Sequence, residues 1–495
     1  MKVPDEIKKV ERPRNTVVEA RVNTKGIPTY IVRERNGSVY SKGRSRPRNG
    51  CVIGYIIDQK YVPKPSSGPI EPEERSMTTW AVERLIINLT PDVLEDLMSA
   101  YDLKNSQMLY SMAILKVRNP DLRNSRMKRD YDESILALTY PNLAMSKNSV
   151  SNLLKDVGSV GLRLQQFIEC RCKRLPEGAH LAVDGTLITD NSIVNNLSAV
   201  SRKTRVRGNR EISLIYAYDI ERGEPVCFSA YPGNMLDSKA YSDFIRTNDL
   251  RNALLIGDKA FTENSAREEF KDRPDLHFLH PVRRNAGVIC RFHLHDYNNV
   301  LWTYPGITYC VFNDTEHNIH YYAFRDAERA MEEERTFIEK MKGKAIDPEK
   351  IRKLRDRWGT IIYQSDLDMK PEDVYRAYSF RWRIEQMFNL YKNVENFDDT
   401  NVQNDESVIG EHFVNFIATV MTSRLMNRFF EAELLDKMTF GEVMNVLRRG
   451  LKFKDKEGEW IFRAQTEKEK EVLRALDLMP KLPPKRGPGR PRKDA

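Results

Sequence analysis

Two aspartates interrupt apolar runs, and a later glutamate is flanked by bases at helical spacing. Asp184 lies inside LAVDGTLI and Asp258 ends ALLIGD. An ionised carboxylate in or at the end of a buried strand is costly unless it is paired or holds a metal ion. Each has a plainer explanation: Asp184-Gly185 as a turn, and Asp258 as the cap of the following helix. The third acid shifts the balance. In YSFRWRIEQMFNLYK, Tyr378, Arg381, Glu385 and Lys392 stand at offsets of 0, 3, 7 and 14 residues. At about 100° per residue, one helical arc of roughly 60° carries all four, while Ile384 and Phe388 would anchor the helix in a core. An acid, two bases and a phenol on one stripe suit a salt-bridged surface. They equally suit a metal ligand with phosphate-binding neighbours.

The surrounding elements must bring these residues together. HLAVDGTLI, EISLIYAYDI, EPVCFSAY and NALLIGDKAF read as strands, the second and third joined by Glu221-Arg-Gly-Glu at hairpin length. With a helical stretch over Ser238–Asn248, the order is β-β-β-α-β. Residues 277–325 read as further strands, 326–356 as a charged helical arm whose default is solvation, and helices dominate from Pro371. Upstream, residues 16–62 read as short strands. There Lys42, Arg44, Arg46 and Arg48 alternate onto one face, either a solvated edge or a phosphate-contacting ribbon. A Pro/Ser-rich linker covers 62–74, and helical patterning begins at Thr90-Pro91. Residues 146–157, SKNSVSNLLKDV, have the pattern of a helix-turn-helix recognition helix, with ordinary helix packing as the favoured reading.

Composition narrows the class. The 495 residues imply roughly two to four domains. A hydrophobic fraction of 40% can build a large core, so the chain is not mainly disordered. The charge is 80 − 71 = +9, and it is unevenly placed. Residues 1–60 hold 14 bases against 6 acids, residues 201–210 five bases and no acid, and residues 481–495 six bases and one acid. Nucleic acid is the leading partner. The six cysteines read as scattered thiols rather than a disulfide framework or zinc site. No apolar leader opens the chain, and Phe413–Met421 falls far short of the ~20 residues that span a bilayer. A soluble, cytoplasmic protein without a membrane partner is expected.

Taken together, VDGT, IGDKAF and YxxRWxIExxFxxxK resemble the Asp-Asp-Glu transposases of bacterial insertion sequences. More narrowly they resemble the branch marked by Tyr-x2-Arg-x3-Glu-x6-Lys, the insertion-sequence-four group. YPGNMLDSKAY adds Pro232, Gly233, Asn234 and Asp237, which resemble the Pro-Gly-Asn-x2-Asp segment of that family. The likeness covers about residues 176–430. The resemblance implies an α/β fold with a ribonuclease-H-like catalytic core over 176–262 and 357–430, and a β-rich insertion over 263–356. It would be preceded by a basic β-rich module (1–75) expected to contact DNA, and a helical end-binding or linking region (76–175). A C-terminal helical region (431–480) and a disordered basic tail (481–495) would follow.

The resemblance further implies DNA strand cleavage at the element ends and transfer of the freed 3′-hydroxyl to target DNA. Asp184, Asp258 and Glu385 would be both catalytic residues and ligands of two Mg²⁺ ions, with Mn²⁺ as a substitute. Tyr378, Arg381 and Lys392 would hold phosphates, a positioning role. Members of the branch pass through a DNA hairpin with a flipped base stacked on an aromatic side chain. Trp302 in NNVLWTYPG is a candidate stacker, with core packing the favoured alternative. The implied partners are terminal inverted repeats and target DNA, held by a homodimer on paired ends at the bacterial nucleoid. The tail, Lys485 to Lys493, resembles an AT-hook that would present Arg490 and Arg492 to an A·T minor groove. A generic basic tail is the alternative there. An inactive, domesticated DNA-binding regulator and a nuclease without joining activity are the alternatives for the whole chain.

Overall fold

The computed structural model describes the chain outside residues 1–2, 23–27, 42–43, 65–76, 191, 202–207, 258–268, 272, 344–346, 381, 390, 393–396, 398–399, 401, 456, 464 and 480–495. It forms two compact units, Met1–Glu74 and Arg75–Ala495. The first contains an antiparallel sheet of β1 (Thr16–Val22), β2 (Pro28–Ser41), β3 (Arg44–Ile57) and β4 (Lys60–Pro63), paired in that order. β2 and β3 run for 14 residues each, longer than the short strands expected, because their pairing continues through register shifts between Val32 and Ser38. Arg44 pairs with Ser41 and Arg46 with Val39 near the hairpin tip. Lys42 lies outside the described residues.

The second unit begins with β5 (Met77–Thr79) and a helical region. Its helices include α1 (Pro91–Ala100), α2 (Leu103–Arg118), α3 (Lys147–Ser159) and α4 (Gly161–Lys173). Asp102 caps α2 and Ser146 caps α3, each side chain accepting a hydrogen bond from a first-turn amide. α3 buries Val150, Leu153, Leu154 and Val157, the spacing of one helix face. That face packs on α10 (Asp405–Glu431). A Cβ on Gly158 would stand 1.9 Å from the Glu406 carbonyl oxygen, and one on Gly410 would stand 2.0 Å from that of Leu154. α3 is therefore a core helix, in line with the ordinary-packing reading. The apolar run Phe413–Met421 lies within α10 and is buried almost all round. Among the described residues no helix is long and apolar enough to cross a membrane.

A ten-stranded sheet forms the centre. Its strands are β6 (Ala179–Thr189), β7 (Ala199–Val200), β8 (Arg210–Asp219), β9 (Glu224–Pro232), β10 (Ala253–Ile256), β11 (Leu276–Pro281), β12 (Asn299–Val300), β13 (Ile307–Asp314), β14 (Ile319–Asp326) and β15 (Thr360–Ser365). β9 pairs with β8 and β8 with β6, both antiparallel; β6, β10 and β11 then run parallel. Every residue of β10 is buried, as befits a parallel strand covered on both faces. The turn between β8 and β9 closes on Gly223, whose φ of 66° suits glycine. α5 (Asp237–Thr247) connects β9 to β10. This is the expected β-β-β-α-β order, in an α/β fold. β11 continues that sheet from within the 263–356 segment, and antiparallel β15, β14 and β13 extend it. α6 (Ala327–Lys340) and α7 (Pro348–Arg355) lie between β14 and β15 in sequence, and α8 (Pro371–Ser379) and α9 (Trp382–Asn389) follow. The C-terminal part adds β16 (Leu451–Lys454) and β17 (Trp460–Phe462), which pair in the order β17-β16-β5.

Candidate active site

β6 carries Asp184 near its middle, in register with Tyr216 of β8. Leu181, Ala182 and Val183 just before it are buried, whereas Asp184 is partly exposed. Its Oδ1 accepts a hydrogen bond from the Gly185 amide at 2.8 Å. On the other side β10 runs parallel, with Ile256 opposite Ala182. Thus Ala182 stands two residues before Asp184, and Ile256 stands two residues before Asp258 in sequence. Asp258 itself lies outside the described residues, as do Arg381, Arg490 and Arg492.

α9 packs against β6 and carries Glu385. Ile384, Met387 and Phe388 are buried beneath the helix, whereas Glu385 is exposed. Beyond α9 the Lys392 ammonium donates to the Leu187 carbonyl of β6 at 2.7 Å. That carbonyl is three residues along the strand from Asp184. Tyr391, next to Lys392, is fully buried; its hydroxyl lies 3.0 Å from His412 Nδ1 on α10, and its ring lies 5.9 Å from that of Tyr216. Burial, aided by the charge of Lys116, pushes His412 down to about 3. This Tyr391–His412 pair had no signature in the sequence beyond a lone histidine in an apolar helix.

The single-helix arc expected for Tyr378, Arg381, Glu385 and Lys392 requires correction. α8 ends at Ser379 and α9 begins at Trp382, and Lys392 follows the end of α9. Each segment has its own tertiary contacts. The Tyr378 ring packs on Tyr363 of β15 with centroids 4.4 Å apart. Arg383 donates to the Ile220 carbonyl at 2.8 Å and covers the Phe380 ring. Tyr378, Glu385 and Lys392 therefore stand on separate segments, and Arg381 lies outside the described residues.

Trp302 is 87% exposed in the turn between β12 and β13, so the core-packing alternative does not describe it. Its turn is held to α8 by Tyr304, whose ring lies 4.8 Å from that of Tyr375. Gly233, from the Pro-Gly-Asn segment, has a steric reason for its identity. A Cβ there would meet the Glu211 carbonyl oxygen at 2.1 Å.

Other acids in this unit are arranged differently. Asp92 and Asp96 of α1 and Glu224 of β9 meet Arg171 of α4, Arg174 and Arg424 of α10. Arg424 reaches Asp92 at 2.7 Å and Glu224 at 2.6 Å; Arg171 reaches Glu224 at 2.9 Å, and Arg174 reaches Asp96 at 2.8 Å. Burial alone would raise Asp92 and Glu224, but the arginines outweigh it and hold both below the usual carboxylate range. At Asp96 burial prevails and raises the carboxyl despite Arg174. A third group, Asp314, Glu316 and His317, gathers its donor atoms within 4.8 Å at the β13–β14 turn. It contains none of the three acids singled out in the sequence. All six cysteines are unpaired.

Comparison with known proteins bears on the central sheet. Residues 176–421 match the family model of the transposase DDE domain. No curated protein matches the chain. Among solved structures, the piggyBac transposase synaptic complex with hairpin DNA is 10% identical, covering 76% of this chain and 82% of that one, with a TM-score of 0.39. The Mos1 transposase paired-end complex with the left transposon end is 14% identical, covering 32% and 58% respectively, with a TM-score of 0.15. At such scores neither likeness defines the fold further.

Proposed function

We propose that this transposase cleaves the ends of an insertion sequence and joins the freed 3′-hydroxyl to target DNA, with Asp184, Asp258 and Glu385 as its catalytic acids. The observation that carries the reading is the meeting of β6, β10 and α9 within the matched domain. β6 bears Asp184, parallel β10 ends just before Asp258 in sequence, and α9 packs on β6 with Glu385 on its exposed side.

Asp184 and Glu385 offer hard carboxylate oxygens, one half-buried and one exposed, and this donor chemistry fits Mg²⁺. Asp184, Glu385 and Asp258 would hold such ions, which would supply Lewis-acid chemistry at the attacking and leaving oxygens. The protein's own residues hold the geometry. Lys392 pins the chain beyond α9 to the strand that bears Asp184, fixing the separation of the acids. Its charge, with that of Arg381, also draws the phosphate backbone toward them. Tyr378 steadies α8 through Tyr363, and exposed Trp302 offers a stacking face for an unpaired base. The basic module at 1–75 and the tail with Arg490 and Arg492 extend the contact to duplex DNA. Two copies act on paired ends.

The test uses supercoiled DNA carrying candidate element ends, with Mg²⁺. Asp184→Ala, Asp258→Ala and Glu385→Ala each abolish nicking and leave end-binding largely intact. Recovery of 3′-joined products separates transfer from hydrolysis. Full nicking by any one of these variants overturns the assignment of that acid.

A further inference from the structure

The loop after β6 is built with unusual rigidity around two solvent-facing aliphatic side chains. Ile193 is 86% exposed and Val194 67% exposed. Single apolar side chains at a surface need no explanation. Here two adjacent ones crown a loop whose own polar groups are buried and satisfied. Asp190, 3% exposed, accepts from the Ser192 amide at 2.9 Å and from Asn195 Nδ2 at 2.7 Å. Asn195 Oδ1 in turn accepts from the Ser198 amide at 2.7 Å. Arg210 Nε donates to the Ser192 carbonyl at 3.0 Å, and its Nη2 donates to the Ser198 carbonyl. Asn196 grips Asp405 at the start of α10 through its amide and side chain, at 2.7 and 2.8 Å. The Gly233 amide closes the far side on the Leu197 carbonyl at 3.2 Å. So many internal bonds fix the tip, and with it the direction in which Ile193 and Val194 are presented.

We propose that Ile193 and Val194 are a wedge that enters the stack of duplex DNA beside the reaction centre and unwinds it locally. The proposal rests on the reading above that the chain acts on DNA. Small rigid aliphatic wedges part base steps where a basic surface holds the backbone. In sequence, residues 201–210 follow the loop directly with five bases and no acid, charge that suits a polyanion and opposes burial against a like-charged copy. The position also fits. Five residues of β6 separate Asp184 from the strand end at Thr189, about 17 Å at ~3.3 Å per residue. Along a duplex, that span corresponds to about five base-pair steps. A duplex that runs along β6 with its scissile phosphate at Asp184 reaches the root of this loop after about half a helical turn, and unwinding there loosens the strands around the cut. The hydrogen-bonded frame makes the loop a stored shape, so its ordering cost is met in folding and not in binding.

The full chain is tested on closed circular plasmid in EDTA, which silences cleavage. A metal-independent topoisomerase then relaxes the bound DNA, and linking number is read after the protein is removed. The wild type lowers the linking number in proportion to protein bound. The Ile193→Ser/Val194→Ser variant, altered only at exposed positions, keeps its melting temperature and binds plasmid within about threefold of wild type. Its unwinding per bound molecule falls at least about tenfold, and Ile193→Leu retains it. Equal unwinding by the Ser/Ser variant overturns the wedge. Plasmid binding by the wild type without any unwinding also overturns it, and leaves the DNA reading intact. Failure of the wild type to bind plasmid defeats the DNA reading itself. Loss of a dimer in the variant, with unwinding unchanged, makes the pair a contact between copies and overturns the wedge.

Discussion

The carboxylates of Asp92, Asp96 and Glu224 and those of Asp184 and Glu385 belong to the same unit, yet they are treated in opposite ways. The first three are drawn out of water and met by guanidinium groups at 2.6–2.9 Å. That cluster ties α1, α4, β9 and α10 together over sequence separations as long as 332 residues. Of the other two, Asp184 receives a backbone amide at the edge of the core, and Glu385 faces solvent from a helix whose buried side is apolar. A carboxylate answered by an arginine is a structural element, its charge already spoken for. A carboxylate carried on the exposed side of a helix, or at a partly exposed point of a strand, stays within reach of something that arrives later. The comparison predicts that the two sets separate stability from chemistry.

The largest expected effect belongs to Asp184 and Glu385. Asp184→Asn lowers Mg²⁺-dependent nicking by about 10³-fold or more, some 4 kcal/mol of transition-state stabilisation. Its melting temperature stays within about 1 °C of wild type, because the amide has the carboxylate's shape and the position is only partly buried. A large drop in melting temperature would instead make Asp184 a structural acid and erase the distinction. Next comes the ion cluster. Arg424→Ala leaves Asp92 and Glu224 buried without their main partner and costs about 3 kcal/mol of folding stability, read by denaturant unfolding. That figure is at the low end of such losses because Arg424 keeps 19% of its side chain exposed. Nicking per folded molecule stays near wild type; its collapse would place the ion cluster within the reaction centre.

Between the two sets stands His412, on the same helix as Arg424 and against Tyr391 beside the proposed site. Its ionisation is held at about 3 when folded, against the usual 6.5, because burial disfavours the charged ring. Between those values the unfolded chain binds more protons than the folded one, so stability falls as pH drops from about 6.5 toward 3. At pH 5 the penalty is about 2 kcal/mol, present in wild type and absent in His412→Gln. Unfolding of both proteins across pH 7 to 5 checks it, and parallel curves would mean that His412 ionises freely in the folded state.

How much of this was legible follows the same division. The strands of the central sheet stand out as apolar runs, and Glu221-Arg-Gly-Glu marks the turn between β8 and β9. Strand adjacency is different: the parallel pairing of β10 with β6 is a tertiary choice that periodicity does not encode. The arc from Tyr378 to Lys392 assumed one unbroken helix, and YSFRWRIEQMFNLYK contains no glycine or proline to announce the break. The Tyr378–Tyr363 packing and the Arg383–Ile220 bond that accompany it join residues far apart in sequence. The ion cluster was invisible for the same reason. So was the loop of Ile193 and Val194, where NSIVNNLSAV reads as an ordinary polar loop until Arg210 and Asp405 are seen to lock it. Local pattern gave the elements and the acids, and long-range pairing decided what each acid does.

The smallest expected effect tests whether exposure is functional in an aromatic as well as an acid. Trp302 and Tyr304 share one turn, yet Trp302 is 87% exposed while Tyr304 packs on Tyr375. Tyr304 holds the turn to α8; Trp302, freed from that duty, presents its ring to solvent. Trp302→Ala should therefore leave folding stability unchanged within about 0.5 kcal/mol. It should weaken binding to DNA with an unpaired base by about 1 kcal/mol, roughly fivefold, the low end for loss of one base–aromatic stack. Binding to a fully paired duplex should not change, because no base there is free to stack. Titration of matched and bulged oligonucleotides of equal length separates these outcomes. Equal weakening on both would make the ring a general contact with the duplex. No change on either would leave its exposure without a role in DNA binding, and would confine functional exposure to the acids.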